Sequence, residues 1–207
     1  EEDRAPLFAG LAIEASASAR AHFQRYPVVS LTFKDVKAES WDACFPALAE
    51  VLAQAYREHR YLLQGSQLQP EEVEVFAAIL NGHASEVQCW RALAELCRHL
   101  HAYHREKVVV LIDEYDTPIH AGYAKGYYDR VVAFFRNLLS GALKDNPHLF
   151  KGVLTGILRV AKESVFSGLN NLAVHLTALP IVGADAGAWV PPEPLSWLGG
   201  SLVRGAL

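Results

Sequence analysis

The chain has 207 residues, of which 51% are hydrophobic and 20% charged, and its formal net charge is -4. This length suits one main globular unit, and the balance argues against a disordered chain and against a broad nucleic-acid-binding surface. No run reaches the roughly 18 apolar residues of a membrane span, and the acidic start Glu1-Glu2-Asp3 is unlike a signal peptide.

The three cysteines, Cys44, Cys89 and Cys97, are odd in number and lack C-x-x-C spacing. This pattern favours neither a disulfide framework nor a zinc knuckle. We therefore expect a reducing, cytoplasmic setting, with no membrane partner.

Apolar periodicity predicts alternating strands and helices. In chain order we predict a strand over 26–33, a helix over 40–61 capped by Ser40, a helix over 70–80, a helix over 85–104 capped by Ser85, a strand over 108–112, a helix over 127–144 and a strand over 152–158. The run Val108 to Ile112 is apolar without alternation, which is typical of a strand covered on both faces. The order indicates α/β architecture with a parallel sheet.

The segment 176–207 differs from the rest because only Asp185, Glu193 and Arg204 are charged in it. Prolines and glycines are frequent there, and no helical or strand period is visible. We expect a main domain over 1–175 and an irregular tail over 176–207, which loose packing or a shifted reading frame would explain.

Two carboxylates, Asp113 and Glu114, follow the buried run directly. The carboxyl end of a parallel strand is where α/β sheets bind ligands, and the Mg²⁺ of a nucleotide favours a carboxylate held there. Glu114 is expected to point to the other side of the strand from Asp113, where it could orient or deprotonate an attacking water, with Asp116 as a weaker supporting candidate. The alternative, equally weighted on the motif alone, is a pair of solvated acids before the turn at Thr117-Pro118.

Further candidates follow the next predicted strand. Thr155 to Arg159 (TGILR) could bring a hydroxyl and a guanidinium to the same phosphate region, although a strand end with a surface arginine is the simpler interpretation of these residues alone. His101 and His104 lie one helical turn apart, as two metal ligands would, but a solvated helix end is favoured over a metal site. Neither G-x-x-x-x-G-K-[ST] nor G-x-S-x-G occurs in the sequence.

Several long segments resemble the AAA-ATPase-like domain family in order along the chain. They are VVVLIDEYDTPI (Val108 to Ile119), RNLLSGALKDN (Arg136 to Asn146) and KGVLTGILRVAKESVFSGLNNL (Lys151 to Leu172). The resemblance covers roughly Leu7 to Val174. It implies a partial P-loop NTPase-like three-layer sandwich, with a parallel sheet flanked by helices, whose phosphate loop would precede Leu7.

The resemblance also implies roles for four residues. Asp113 would hold Mg²⁺ through water as the Walker B carboxylate, and Glu114 would be the hydrolytic partner. Thr155, as a cofactor-binding residue, and Arg159, as a catalytic one, would lie in a sensor-like segment. ATP and Mg²⁺ are the cofactors implied for the complete domain, which is often followed by a PD-(D/E)XK nuclease-like domain. Nucleic acid as a binding partner would be consistent with such an arrangement.

Three hypotheses follow. The first is a fragment of an ATPase domain that in its complete form binds Mg²⁺ with ATP and hydrolyses it, and that is inactive or severely weakened alone. The second is a noncatalytic interaction module derived from such a domain. The third, ranked last, is a metal-dependent nuclease built on Asp113, Glu114 and Asp116, for which a lysine on the next strand is not clearly placed.

Overall fold

The computed structural model describes residues 3–65 and 67–156. Short 3-10 turns at Ala5–Phe8 and Ala12–Ala15 precede the first elements. The helices are α1 (Ala17–Arg20), α2 (Trp41–Glu58), α3 (Pro70–Leu80), α4 (Glu86–His104), α5 (Thr117–Lys125) and α6 (Tyr128–Leu143), and the strands are β1 (Val28–Thr32), β2 (Val108–Asp113) and β3 (Leu149–Leu154). The structure is thus of the predicted α/β class.

The three strands form one parallel sheet in the order β1-β2-β3. The apolar run of β2 occupies the centre, and helices connect each strand to the next, as parallel pairing requires. The predicted parallel sheet is therefore confirmed. Because all three strands run the same way, their carboxyl ends share one edge, which we call the carboxyl edge; the opposite one is the amino edge.

The helix boundaries have local causes. Ser40 and Ser85 accept backbone hydrogen bonds from Ala43 and Gln88, and Gln88 completes a capping box, so both predicted caps are confirmed. Pro70 begins α3, where the missing N–H costs nothing. Gly82 follows α3 at φ 71°, a conformation that favours glycine.

Two predictions along the later chain need correction. The third strand was placed at 152–158 but begins earlier, at Leu149, because Leu149 to Leu154 pair with β2 while Thr155 lies just beyond the strand. Gly152 lies within β3 and has no side chain, so it interrupts the apolar pattern from which the strand was predicted. Helix α5 was not predicted, because Asp116, Thr117 and Pro118 read as a turn although Pro118 is well suited to a first helical turn.

Helices α2, α4 and α6 pack on one another and each on one strand, and α3 packs outside α2 and α4. Buried strand residues on this covered face include Val29, Leu31, Val110 and Ile112. The three cysteines are also buried, on α2 and α4, and none forms a disulfide. Together these side chains form one continuous core.

The second face of the sheet, here called the open face, is less covered. Val28 is 43% exposed and Leu111 is 37% exposed, whereas Ile112 is 1% exposed. The sequence prediction that the central strand is covered on both faces is therefore wrong at Leu111. Within residues 3–65 and 67–156, none of the helices combines the length and hydropathy that a membrane span needs.

Candidate functional site

The carboxyl edge is held together by backbone hydrogen bonds that continue past the strands. Phe33 N–H donates to the Asp113 carbonyl at 3.0 Å, and Thr155 N–H donates to the Ile112 carbonyl at 2.8 Å. Tyr115 N–H in turn donates to the Thr155 carbonyl at 3.3 Å. These bonds fix the residues on either side of Asp113 relative to it.

Asp113 ends β2 on the open face and is exposed. Its Oδ1 accepts a hydrogen bond from the Thr155 hydroxyl. On the other side, Thr32 is its register partner and is exposed as well. The carboxylate is therefore flanked by threonines from the two neighbouring chain segments, and one of them orients it directly.

Glu114 leaves the strand with φ 51°, in the left-handed region that a glutamate rarely occupies. The sequence-based prediction that Glu114 would alternate with Asp113 along an extended strand is therefore corrected. The Thr117 hydroxyl donates to its Oε2 at 3.2 Å. Backbone strain of this kind often accompanies functional sites. Here it turns the chain sharply between β2 and α5.

Asp116 is only 4% exposed and lies directly before α5. A Cβ added to Gly156 would lie 2.6 Å from its Oδ1 and 3.0 Å from the Tyr115 ring. The chain after β3 therefore passes close over Asp116, and a side chain at position 156 would require the Asp116 or Tyr115 side chain to move. Asp116 belongs to the packing beneath the edge, unlike the more accessible Asp113.

Three carboxylates thus lie within four residues of one another, and two of them, Asp113 and Glu114, form no ion pair with any described residue. Carboxylate and hydroxyl oxygens are the donors that a hard cation such as Mg²⁺ prefers. The three carboxylates do not converge as a three-ligand metal site, but the exposed Asp113 carboxylate offers the single oxygen ligand that a largely hydrated Mg²⁺ needs. Without a cation, the same negative charge would repel a phosphate group.

The structure brings together three of the residues singled out in the sequence, Asp113, Glu114 and Thr155. Arg159 lies outside the described residues, so its predicted role is untested. Sequence reasoning missed Thr32 and Thr117. Thr32 could have been found by the same rule that identified Asp113, since it ends the preceding strand.

The helical pair His101 and His104 does not converge on one point. His101 Nδ1 lies 2.9 Å from His148 Nδ1, while His104 Nε2 lies 2.7 Å from the Tyr61 hydroxyl. Among the described residues, no group of three or more His, Cys, Asp or Glu side chains is arranged to hold a metal ion. His101 and His104 therefore contact different parts of the chain, and both rings are half-buried.

A family model described as "Predicted AAA-ATPase" matches residues 1–166. The chain belongs to this family. The match includes the carboxyl edge and all the described helices and strands, so the family's ATPase-like domain is the unit to which Asp113, Glu114 and Thr155 belong.

A curated relative extends the comparison. An "Uncharacterized protein in vnfD 5'region" of Azotobacter chroococcum mcd 1 is 42% identical over 79 residues. The aligned part is 38% of this chain and 15% of that protein, so the chain spans a small share of its relative. No solved structure matches the chain.

Proposed function

We propose that the carboxyl edge is the Mg²⁺-ATP site of the complete ATPase domain, with Asp113 as the magnesium carboxylate. The observation that carries this proposal is the arrangement of Asp113, which is exposed, oriented by the Thr155 hydroxyl and without a cationic partner among the described residues. Family membership supports the same reaction class. A bound Mg²⁺ would neutralise phosphate charge that Asp113 and Glu114 would otherwise repel.

The chain's own residues then have distinct roles. Asp113 holds the ion through water, and Thr155 keeps the Asp113 carboxylate oriented. Glu114 orients or deprotonates the attacking water, and its hydrogen bond from Thr117 limits the directions that its carboxylate can take. Arg159 is proposed, from the family resemblance alone, to stabilise the transferred phosphoryl group.

The family's phosphate-binding loop is not among the 207 residues. Backbone N–H groups and a lysine of such a loop supply most of the phosphate contacts in P-loop enzymes. We therefore expect weak or undetectable ATP binding by residues 1–207 alone. Binding is expected from a protein extended upstream to include the loop.

Calorimetry with Mg²⁺-ATP tests this proposal on both proteins. Asp113→Asn should weaken Mg²⁺-dependent binding by the extended protein by at least about tenfold, since it removes the ionised ligand. The matched control is Asp145→Asn, because Asp145 is exposed, lies between α6 and β3 and has φ 51°, which asparagine tolerates. Glu114→Gln should retain binding and lose hydrolysis. Absence of binding by the extended protein, or equal effects of the two Asp→Asn changes, would refute the site.

The second candidate is a noncatalytic interaction module. It is supported by apolar side chains that the described part of the chain leaves uncovered, including Leu7 at 71% and Ile13 at 52% exposure besides the open face. Loss of nucleotide binding in the extended protein would favour this candidate.

The nuclease alternative has less support. A PD-(D/E)XK arrangement needs a lysine near the carboxylates, but Lys151 on β3 is the register partner of Val109. Val109 precedes Asp113 by four residues, which is about 13 Å along a strand. Asp116 is in addition packed beneath Gly156.

A further inference from the structure

A cavity of about 340 Å³ lies between α3 and α4. Its apolar walls come from three helices and consist of Tyr56 of α2, Val75, Phe76 and Ile79 of α3, and Ala92 of α4. None of these residues belongs to the carboxyl edge. The volume falls within the roughly 300–1,000 Å³ that is typical of pockets for small organic ligands.

One polar side chain is buried in the wall of this cavity. His99 of α4 is only 5% exposed, and its ring packs against that of Phe76 at a centroid distance of 6.2 Å. Within residues 3–65 and 67–156, neither of its ring nitrogens has a hydrogen-bond partner. Both nitrogens remain reachable from the cavity, because the side-chain atoms sealed off without a partner in this part of the chain belong to His59 and Trp90 instead. A polar group left open in this way is a hydrogen-bonding point for a molecule in the cavity.

His99 acts as a neutral hydrogen-bonding group at neutral pH. Burial lowers the pKa of its imidazole and the charge of Arg98 lowers it further, against a smaller opposite effect of Glu72 and Glu95. A neutral imidazole carries one N–H donor and one nitrogen acceptor. It therefore suits a hydroxyl group, which can donate to the one nitrogen or accept from the other.

The charged rim of the cavity disfavours an anion. It contains three carboxylates and two guanidinium groups, from Glu71, Glu72, Glu95, Arg91 and Arg98. Arg98 is already neutralised, because it contacts Glu72 at 2.5 Å and Glu95 at 2.6 Å. An ionised group of either sign would also lose its hydration against the apolar walls. The ligand that fits is therefore uncharged.

The aromatic walls favour an aromatic ligand. The rings of Tyr56 and Phe76 lie 4.5 Å apart at an interplanar angle of 53°. The Tyr56 hydroxyl donates to the Ala92 carbonyl at 2.8 Å, so this residue offers the cavity its ring rather than its polar group. A flat ring placed beside Tyr56 and Phe76 gains the offset and edge-to-face contacts that aromatic groups prefer.

We propose that the cavity between α3 and α4 binds a neutral, hydroxylated aromatic molecule of one or two rings, with its hydroxyl group at His99. The apolar walls hold the ring system, and His99 fixes its orientation. The charged rim selects against carboxylated relatives of the same molecule.

The test is titration of the 207-residue protein with 2-naphthol at pH 7.5, where this compound is neutral, followed by nuclear magnetic resonance of the backbone amides. Naphthalene, which lacks the hydroxyl, and 2-naphthoate, which has a carboxylate in its place, are the comparison compounds. We expect one molecule of 2-naphthol per chain, with the largest amide shifts in α3 and α4. Naphthalene should bind more weakly than 2-naphthol, and 2-naphthoate more weakly still.

Two kinds of variant test the walls and the polar group. Val75→Trp should lower the affinity for 2-naphthol at least about tenfold, because the indole takes up space in the cavity. Its matched control is Val73→Trp, since both valines lie on α3 with similar exposure, 36% and 38%, and Val73 does not line the cavity. His99→Phe keeps a planar ring without hydrogen-bonding atoms. It should lower the affinity for 2-naphthol about fivefold, the value of one net hydrogen bond, and leave that for naphthalene unchanged.

Circular dichroism checks that each variant is folded. If His99→Phe does not fold, the two valine variants decide the question. Absence of 2-naphthol binding, equal affinities of the three compounds, or equal affinities of Val75→Trp and Val73→Trp for 2-naphthol would overturn the site. None of these readouts depends on ATP, so the proposed ATPase function is tested separately.

Discussion

The two faces of the sheet are formed by alternate residues of the same strands, and they differ in the burial and polarity of their side chains. On the covered face, Leu31 of β1 and Ile112 of β2 are buried, where α2 packs on β1 and α4 on β2. On the open face, Thr32 and Asp113 reach the carboxyl edge one residue later, exposed and polar. Side chains alternate along a strand, so one residue supports the core and its neighbour is available for binding.

This division indicates that stability and binding can be altered separately. Substitutions on the covered face should change the free energy of unfolding, because they remove packed atoms. Substitutions on the open face at the carboxyl edge should change ligand affinity, because those side chains contact solvent and each other. Four predictions test this separation, beginning with the largest expected effect on stability.

Adjacent aliphatic residues of β2 give the most direct test. Ile112→Ala should lower the free energy of unfolding by about 2–5 kcal/mol, because it leaves a cavity beneath the helices. Leu111→Ala, on the open face, should cost about 1 kcal/mol or less, since its side chain is already partly hydrated. Urea unfolding of both variants measures the difference. Equal losses would mean that the open face is packed as tightly as the covered one.

Helical glycines extend the comparison beyond the strands. A Cβ at Gly122 of α5 would lie 2.7 Å from Val131 Cγ1 and 3.2 Å from the Tyr127 ring, whereas one at Gly141 of α6 would meet only Ala94 at 3.8 Å. Gly122→Ala should therefore destabilise the protein by about 1–3 kcal/mol through overpacking. Gly141→Ala should stabilise it by up to about 1 kcal/mol through helix propensity. A shift of the same sign in both melting temperatures would contradict this reasoning.

Acid should weaken the helical layer through the buried His99 and the half-buried His59. Burial lowers the pKa of His99 and of His59 below the usual value, with the charge of Arg98 contributing at His99. The unfolded chain then takes up protons at a higher pH than the folded protein. Stability should fall as the pH drops below about 6.5, the ordinary histidine pKa, and continue falling until these groups are protonated in the folded state.

Urea unfolding between pH 7.5 and 5.5 measures this loss. His99→Asn should flatten the pH dependence, because it removes a buried ring whose pKa is lowered. The comparison variant is His83→Asn, since His83 is exposed. If the two variants lose stability in parallel with the unaltered protein, His99 is not a source of the effect.

The smallest effect on stability is expected at Thr155, where the change should appear in binding. Thr155→Val removes the hydroxyl that donates to Asp113, while its exposed position should keep the stability change within about 0.5 kcal/mol. In the upstream-extended protein we expect Thr155→Val to weaken Mg²⁺-ATP binding. Thr155→Ser, which keeps the hydroxyl, should bind like the unaltered protein. Calorimetry of the three proteins decides this; failure of serine to rescue would show that the hydroxyl is not what matters.

Local sequence signals accounted for much of the fold. The caps Ser40 and Ser85 and the start at Pro70 marked helix limits that the structure reproduces, because a cap depends on neighbouring residues alone. The apolar run of β2 identified the central strand and, with it, Asp113. Contacts between distant segments were harder to predict from the sequence. The start of β3, for example, depends on pairing with Val108, which no local pattern reveals.

The candidate site shows the same limit. Asp113 could be inferred from its position after a buried run, but its bond from Thr155 required the register of β2 and β3. The left-handed conformation of Glu114 was not predictable, because glutamate has no preference for it. The pairing of His101 with His148 likewise arises only when α4 and β3 are placed side by side.

The reactivity of the buried cysteines can be used to measure how often the helical layer around them opens. Burial raises the pKa of Cys89 to about 11 and that of Cys97 to about 12, so at neutral pH their thiols are both enclosed and protonated. A thiol-specific reagent needs the thiolate and physical access. Its reaction rate with the native protein should therefore record how often the α2–α4 layer separates, and binding of a ligand that tightens the fold would be visible as slower labelling without any added probe.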